Sequence, residues 1–89
     1  MKKRVLITVH GKVQNVGFRY FTHKTALELR VHGFVKNQQD GTVYIEAEAS
    51  DSVLEQFIEK VKVGPKWSEV SHVNIQHVKA DGRSGFVIR

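Results

Sequence analysis

The sequence has 89 residues, 40% of them apolar, no cysteine, and a formal charge of +5. One domain spanning residues 1–89 with a single core is expected at this length. The lack of cysteine excludes disulfides and thiolate metal sites and suits a reducing cytoplasm, where the protein is expected to reside.

The basic excess favours anionic partners through long-range attraction, whether nucleic acid, phosphorylated metabolite or lipid surface. No segment approaches the ~20 apolar residues of a membrane span. Met1-Lys2-Lys3-Arg4 is basic, but the apolar run behind it is short and alternating, so it reads as a strand and not a signal segment.

From Arg4 to Val13, Val5, Ile7 and Val9 fall on one face and Leu6, Thr8 and His10 on the other, which predicts a strand with one buried side. Phe18 to Arg30 carries apolar residues at 18, 21, 26, 27 and 29 and is predicted to be a helix with this apolar face on the sheet and Gly33 near its end. Phe34 to Asn37 is a short second strand. Asp40-Gly41 between apolar runs marks a hairpin. Thr42 to Ala49 alternates again, with Val43, Ile45 and Ala47 inward and Thr42, Tyr44, Glu46 and Glu48 on the solvated side.

Ser52, with Glu55 three residues on, fits a capping box for a second helix. Leu54, Phe57, Ile58 and Val61 form its apolar stripe, and Gly64-Pro65 stops it. Val70 to Val78 is a fourth strand, Ala80 to Gly85 a turn, and Phe86 to Ile88 a short last strand. The order is β-α-β-β-α-β plus a tail strand. It predicts an α+β, ferredoxin-like sandwich, an antiparallel sheet with two helices on one face.

The stretch from Gly11 to Arg19 joins the first strand to the first helix. Gly11, Asn15 and Gly17 accept left-handed backbone angles more readily than most residues. A strand that turns tightly into a helix aims several N–H groups at one point, where the helix N-terminus adds partial positive charge. Arg19 adds a planar fork of donors. These parts make an oxyanion or phosphate cradle that needs no metal. In the predicted topology a right-handed crossover makes the first two strands parallel, with the third inserted between them. Asn37, ending the second strand, then lies at the same sheet edge as the cradle. Its carboxamide, both donor and acceptor, could hold a water beside the bound anion.

Other candidates carry less. The spacings of His10, His23, His32, His72 and His77 match no zinc motif, so neither metal nor cofactor is expected. His10 and His23 are candidates to flank the mouth of the site, with surface packing as the simpler role. Trp67, beside Pro65, is expected to pin a loop to the core. Thr22 and His23 are helix neighbours that do not face each other, which argues against a hydroxyl nucleophile.

Gly11-Lys12-Val13-Gln14-Asn15-Val16-Gly17-Phe18-Arg19, followed by Gly33-Phe34-Val35-Lys36-Asn37 and the Asp40-Gly41-Thr42-Val43 hairpin, resembles the acylphosphatase family over nearly the whole chain. The resemblance implies hydrolysis of the carboxyl–phosphate bond of a small acyl phosphate. By position, Arg19 would be the phosphate-binding catalytic arginine and Asn37 the water-orienting asparagine. The main-chain amides of Gln14, Asn15, Val16, Gly17, Phe18 and Arg19 would form the cradle. The family usually has glycine where this chain has Asn15. A monomer with no obligatory nucleic-acid or membrane partner is expected.

Two rival readings share the fold. An RNA-recognition module has the same element order but needs paired aromatics on the open sheet face, where only Tyr44 is expected. A regulatory ligand-binding domain would need an oligomer interface that the sequence does not reveal.

Overall fold

The computed structural model describes residues 1–89. Its first strand, β1 (Lys2–Lys12), buries Val5, Ile7 and Val9 completely, as side chains alternating with a period of two require. The chain continues through α1 (Phe18–Leu29), β2 (His32–Asn37), β3 (Val43–Ser50), α2 (Asp51–Val63), β4 (Glu69–Val78) and β5 (Phe86–Ile88). The sheet order is β4-β1-β3-β2-β5. β3 is antiparallel to both β1 and β2, so those two run parallel and end at one edge. β5 joins the far side of β2 in parallel and makes the sheet mixed. The α+β, ferredoxin-like βαββαβ arrangement is therefore present, with its tail strand added at the edge.

Val5, Ile7 and Val9 of β1, Val35 of β2, Ile45 and Ala47 of β3 and Phe86 of β5 face the helices. Phe18 and Ala26 of α1 and Leu54, Phe57 and Val61 of α2 close the layer. Between His10 and Gly11 the β1–β4 register slips by a bulge. A Cβ on Gly11 would stand 2.1 Å from the carbonyl oxygen of Glu69, so close strand approach requires glycine there. Gly11 thus serves strand pairing, not the cradle.

Several local expectations are corrected. α2 begins at Asp51 with Ser50 as N-cap, and no side chain bonds the cap, so the Ser52–Glu55 box does not form. Its placement inside the first turn denies Ser52 the non-helical backbone a cap needs. α1 buries Phe18, Thr22, Thr25 and Ala26, while Leu27 is exposed. Thr22 enters the core because its hydroxyl donates to the Phe18 carbonyl at 2.9 Å. Arg30, not Gly33, takes the left-handed angle that ends α1, and Gly33 lies within β2.

Trp67 pins nothing: it is 70% exposed, with the Lys66 ammonium 5.2 Å from its ring centre. Ser68 closes that turn instead, donating from its amide and hydroxyl to the Pro65 carbonyl. Thr42, expected on the solvated side of a strand, is buried and precedes β3.

Glu48 is the largest departure, because it is buried. The segment between β4 and β5 folds across the sheet face away from the helices. There the amides of Asp81, Gly82 and Arg83 donate to the Glu48 carboxylate at 2.9–3.1 Å. Glu46 beside it is half-buried against Arg4 and Arg83 and accepts the Tyr44 hydroxyl at 2.8 Å. Phe34 also faces this side, with the Arg89 and Arg83 guanidiniums 3.8 and 5.1 Å from its ring centre. The face therefore presents no free pair of aromatic rings for stacking bases.

Candidate active site

Residues 13–17 carry the chain from β1 into α1. Val13 is buried and anchors the loop on the core. Asn15 has φ 62° and Gly17 φ 80°. Asparagine meets the left-handed requirement at a penalty on the order of 1 kcal/mol, the least of the non-glycine residues.

Gly17 is the N-cap of α1, has no side chain to bond the first turn, and accepts the first helical bond from the Phe21 amide at 3.0 Å. The N–H groups of residues 14–20 donate to no acceptor within the protein. Consecutive unpaired donors at a helix N-terminus form a site of positive potential shaped for an anion.

Arg19 stands in the first turn of α1, exposed, and forms no ion pair with an acidic side chain. One guanidinium nitrogen donates to the Arg89 main-chain carbonyl at 3.4 Å, a long contact that leaves the fork mostly free.

Asn37 ends β2 opposite Val43. Like Val35 two residues before it, it projects toward the helices. Its Oδ1 is enclosed and has no hydrogen-bond partner, the one such side-chain atom in the chain. Arg19 and Asn37 line the same cleft, of about 270 Å³, together with Asn15, Gly17 and Phe18. Val13, Tyr20 and Ile88 give it an apolar wall.

The side chains of the other two residues expected in the cradle do not line the cleft. The Val16 side chain packs on the core. Gln14 turns to the neighbouring hairpin, where Nε2 donates to the Gln38 carbonyl at 2.7 Å and the Thr42 carbonyl at 2.9 Å. Sequence reasoning missed this bolt between loop and hairpin, as it missed Tyr20 and Ile88 on the cleft wall.

The hairpin itself is as the Asp40-Gly41 pair predicts. The Thr42 hydroxyl and amide both donate to Asp40 Oδ1, and these bonds hold the Asp40 carboxyl below its ordinary range.

The histidines stand outside the cleft. The ring of His10 lies 5.7 Å from that of His72, His23 packs 6.2 Å from Phe86, and neither lines the cleft. No three His, Cys, Asp or Glu side chains gather to form a metal site. The strongest perturbation lies on the far face: burial and the Glu46 hydrogen bond push the Tyr44 hydroxyl up to about 12. Burial opposes ionisation of Asp81 nearby, but the Arg4 and Arg83 charges outweigh it and hold that carboxyl low. Both belong to the packing around Glu46 and Glu48, not to the cleft.

No helix is long and apolar enough to cross a membrane. The family model described as acylphosphatase matches residues 5–88. An acylphosphatase of Bifidobacterium longum is 45% identical over 75 residues, covering 84% of this chain and 75% of that one. One of Thermotoga maritima is 40% identical over 87 residues, covering 98% and 97%. The crystal structure of acylphosphatase from Bacillus subtilis superposes with a TM-score of 0.95 at 38% identity, over 100% of this chain and 99% of that one. With a family match spanning all but the ends and close relatives of nearly the same length, the chain belongs to the acylphosphatase family.

Proposed function

We propose that the cleft hydrolyses an acyl phosphate, with Arg19 and the amides of residues 14–19 holding the phosphoryl group and Asn37 placing the attacking water. Hydrolysis of the carboxyl–phosphate bond is the activity that family membership supports, and the chain is a hydrolase of this kind. The assignment of roles rests on one observation. Arg19 with its fork mostly free, Asn37 with its unpartnered carboxamide oxygen, and Asn15, Gly17 and Phe18 of the loop whose amides are unpaired all line a single cleft.

The chemistry suits such spare machinery. The water oxygen attacks phosphorus as the bond to the acyl oxygen breaks, and that electron pair leaves on the carboxylate. Both water protons end on the phosphate, which departs as dihydrogen phosphate and later yields one proton to solvent. A carboxylate of low pKa leaves without a general acid. Phosphoryl transfer passes through a loose in-line transition state, so positioning and charge stabilisation carry the rate. Arg19 and the amides meet the equatorial oxygens as their charge redistributes.

An enclosed acceptor without a partner costs about 1–3 kcal/mol. Rotation of the Asn37 amide toward the cleft removes that penalty by accepting an O–H from the water and aligns the water for attack. Every group in this scheme comes from one copy of the chain, so a monomer suffices, and no metal is needed. A reducing cytoplasm suits a chain without cysteine.

Hydrolysis of acetyl phosphate in ¹⁸O-water with excess chelator tests the mechanism. The label should appear in inorganic phosphate. Label in acetate would mean attack at the carbonyl carbon, and Asn37 would then be misassigned.

A further inference from the structure

The sheet face away from the helices brings together two histidines that stand far apart in the sequence. His10 of β1 and His72 of β4 are directly opposite each other in the antiparallel register, beside the bulge at Gly11. Each follows or precedes a side chain packed on the core, Val9 and Val73, so period two turns both rings to the open face. Opposite residues in such a pair hold their Cβ atoms roughly 4.5–5.5 Å apart. The two ring centres are 5.7 Å apart. His77, opposite Val5, belongs to the other side of the sheet.

Asn74 lies two residues along β4 from His72, on the same face, and its carboxamide stands between the rings. Its Nδ2 donates to His10 Nε2 at 3.2 Å, and its Oδ1 accepts from His72 Nε2 at 2.6 Å. Both imidazoles therefore aim the same ring nitrogen at one point. A carboxamide nitrogen only donates, so His10 Nε2 carries a lone pair directed there. Both histidines and Asn74 are open to solvent to some degree, which gives a ligand free access.

We propose that His10 and His72 form a bidentate site for one divalent transition-metal ion of the zinc, nickel and copper class, separate from the phosphate cleft. Both Nε2 atoms bind the ion, His72 shifts its remaining proton to Nδ1, and water completes the coordination shell. The Asn74 carboxamide swings aside; before the ion arrives it holds the two rings turned toward each other, so little rotamer freedom is lost on binding. Imidazole nitrogen suits zinc, nickel and copper, whereas magnesium and calcium demand oxygen ligands. Asp40 adds negative potential: its carboxylate is held low chiefly by Thr42, and it also feels the charge of His10. The bound ion ties β1 to β4, the strand at the sheet's edge. It stands across the sheet from Arg19 and Asn37 and takes no part in hydrolysis.

Isothermal titration of the untagged protein with zinc chloride tests the site, alongside His10→Gln, His72→Gln and His77→Gln. The unmodified protein should take up one zinc ion saturably, and magnesium in the same buffer should give no binding. Losing an outer-shell partner weakens a metal site 10–100-fold, roughly, and losing a ligand costs at least as much. Affinity should therefore fall roughly tenfold or more in both His10→Gln and His72→Gln and stay unchanged in His77→Gln. A cooperative melt of each variant in chelator establishes that it is folded, so that weak uptake reports the missing imidazole. Zinc at roughly a hundredfold excess over its Kd should also raise the Tm of the unmodified protein by several degrees, and excess chelator should reverse the rise. The absence of saturable zinc uptake by the unmodified protein overturns the site. So does affinity preserved in either His10→Gln or His72→Gln, or lowered as much in His77→Gln.

Discussion

Gln14 reaches from the cradle loop to Gln38, the residue after Asn37, and donates to its carbonyl at 2.7 Å. A second bond from the same nitrogen reaches the Thr42 carbonyl across the hairpin, at 2.9 Å. The loop that presents the amides is thus bolted to the strand end that carries the carboxamide. The Gln14 side chain ties the two elements together directly, in addition to the anchoring of Val13 and Val16 on the core.

Gln14→Ala removes both bonds and leaves each carbonyl oxygen with one main-chain donor, the Gly41 amide on Gln38 and the Gln38 amide on Thr42. At about 0.5–1.5 kcal/mol for each bond, the protein should lose roughly 1–3 kcal/mol of stability, read from denaturant unfolding. In the proposed mechanism kcat should fall roughly tenfold or more, because the water and the phosphorus lose their mutual alignment. Gln14→Glu should be worse than alanine on both measures, since a carboxylate cannot donate and would face two carbonyls.

Asn37→Ala should lower kcat roughly 10²-fold or more and move KM less, as expected for a group that acts mainly in the transition state. Steady-state kinetics on acetyl phosphate read both constants. A raised KM with kcat preserved would make Asn37 a substrate-binding group instead.

Asn15→Gly should keep the loop and the activity and gain stability on the order of 1 kcal/mol or less, because glycine adopts φ near 60° without strain. Asn15→Val should lose both, since a β-branched side chain resists that angle. Melting temperatures and acetyl phosphate turnover of the two variants check this pair.

Tyr44 supplies a pH test away from the cleft. Folding favours its neutral form, because burial and the Glu46 bond raise its pKa to about 12 from 10. Its contribution to stability is therefore fully present below pH 10 and lost as the pH climbs through about 12. Unfolding free energy should decline across that window in the unmodified protein, and Tyr44→Phe should remove this component of the decline.

Much of this was legible in the sequence. Period-two runs around Val5 and Ile45, the Leu54–Phe57–Val61 stripe and the Asp40-Gly41 turn are local signals that agree with the tertiary fold. Arg19 and Asn37 meet in one cleft because the order of elements dictates where strand ends go. The missed features depend on contacts distant in sequence. Alternation put Glu48 on the outer face correctly, but nothing local revealed that residues 81–83 would fold over it and turn a solvated carboxylate into a buried acceptor. Ile88 could not be placed without knowing that β5 pairs with β2 in parallel. Leu27 and Trp67 were misjudged because hydrophobicity alone does not fix the angle at which a helix or loop meets the core.

The most direct measurement of the central claim is acetyl phosphate hydrolysis in excess chelator, by the unmodified protein and by Arg19→Ala at matched thermal stability. The account predicts turnover by the unmodified protein that chelator does not diminish, and a loss of 10²-fold or more, roughly, on removing the guanidinium. Turnover abolished by chelator, or retained without Arg19, would contradict it.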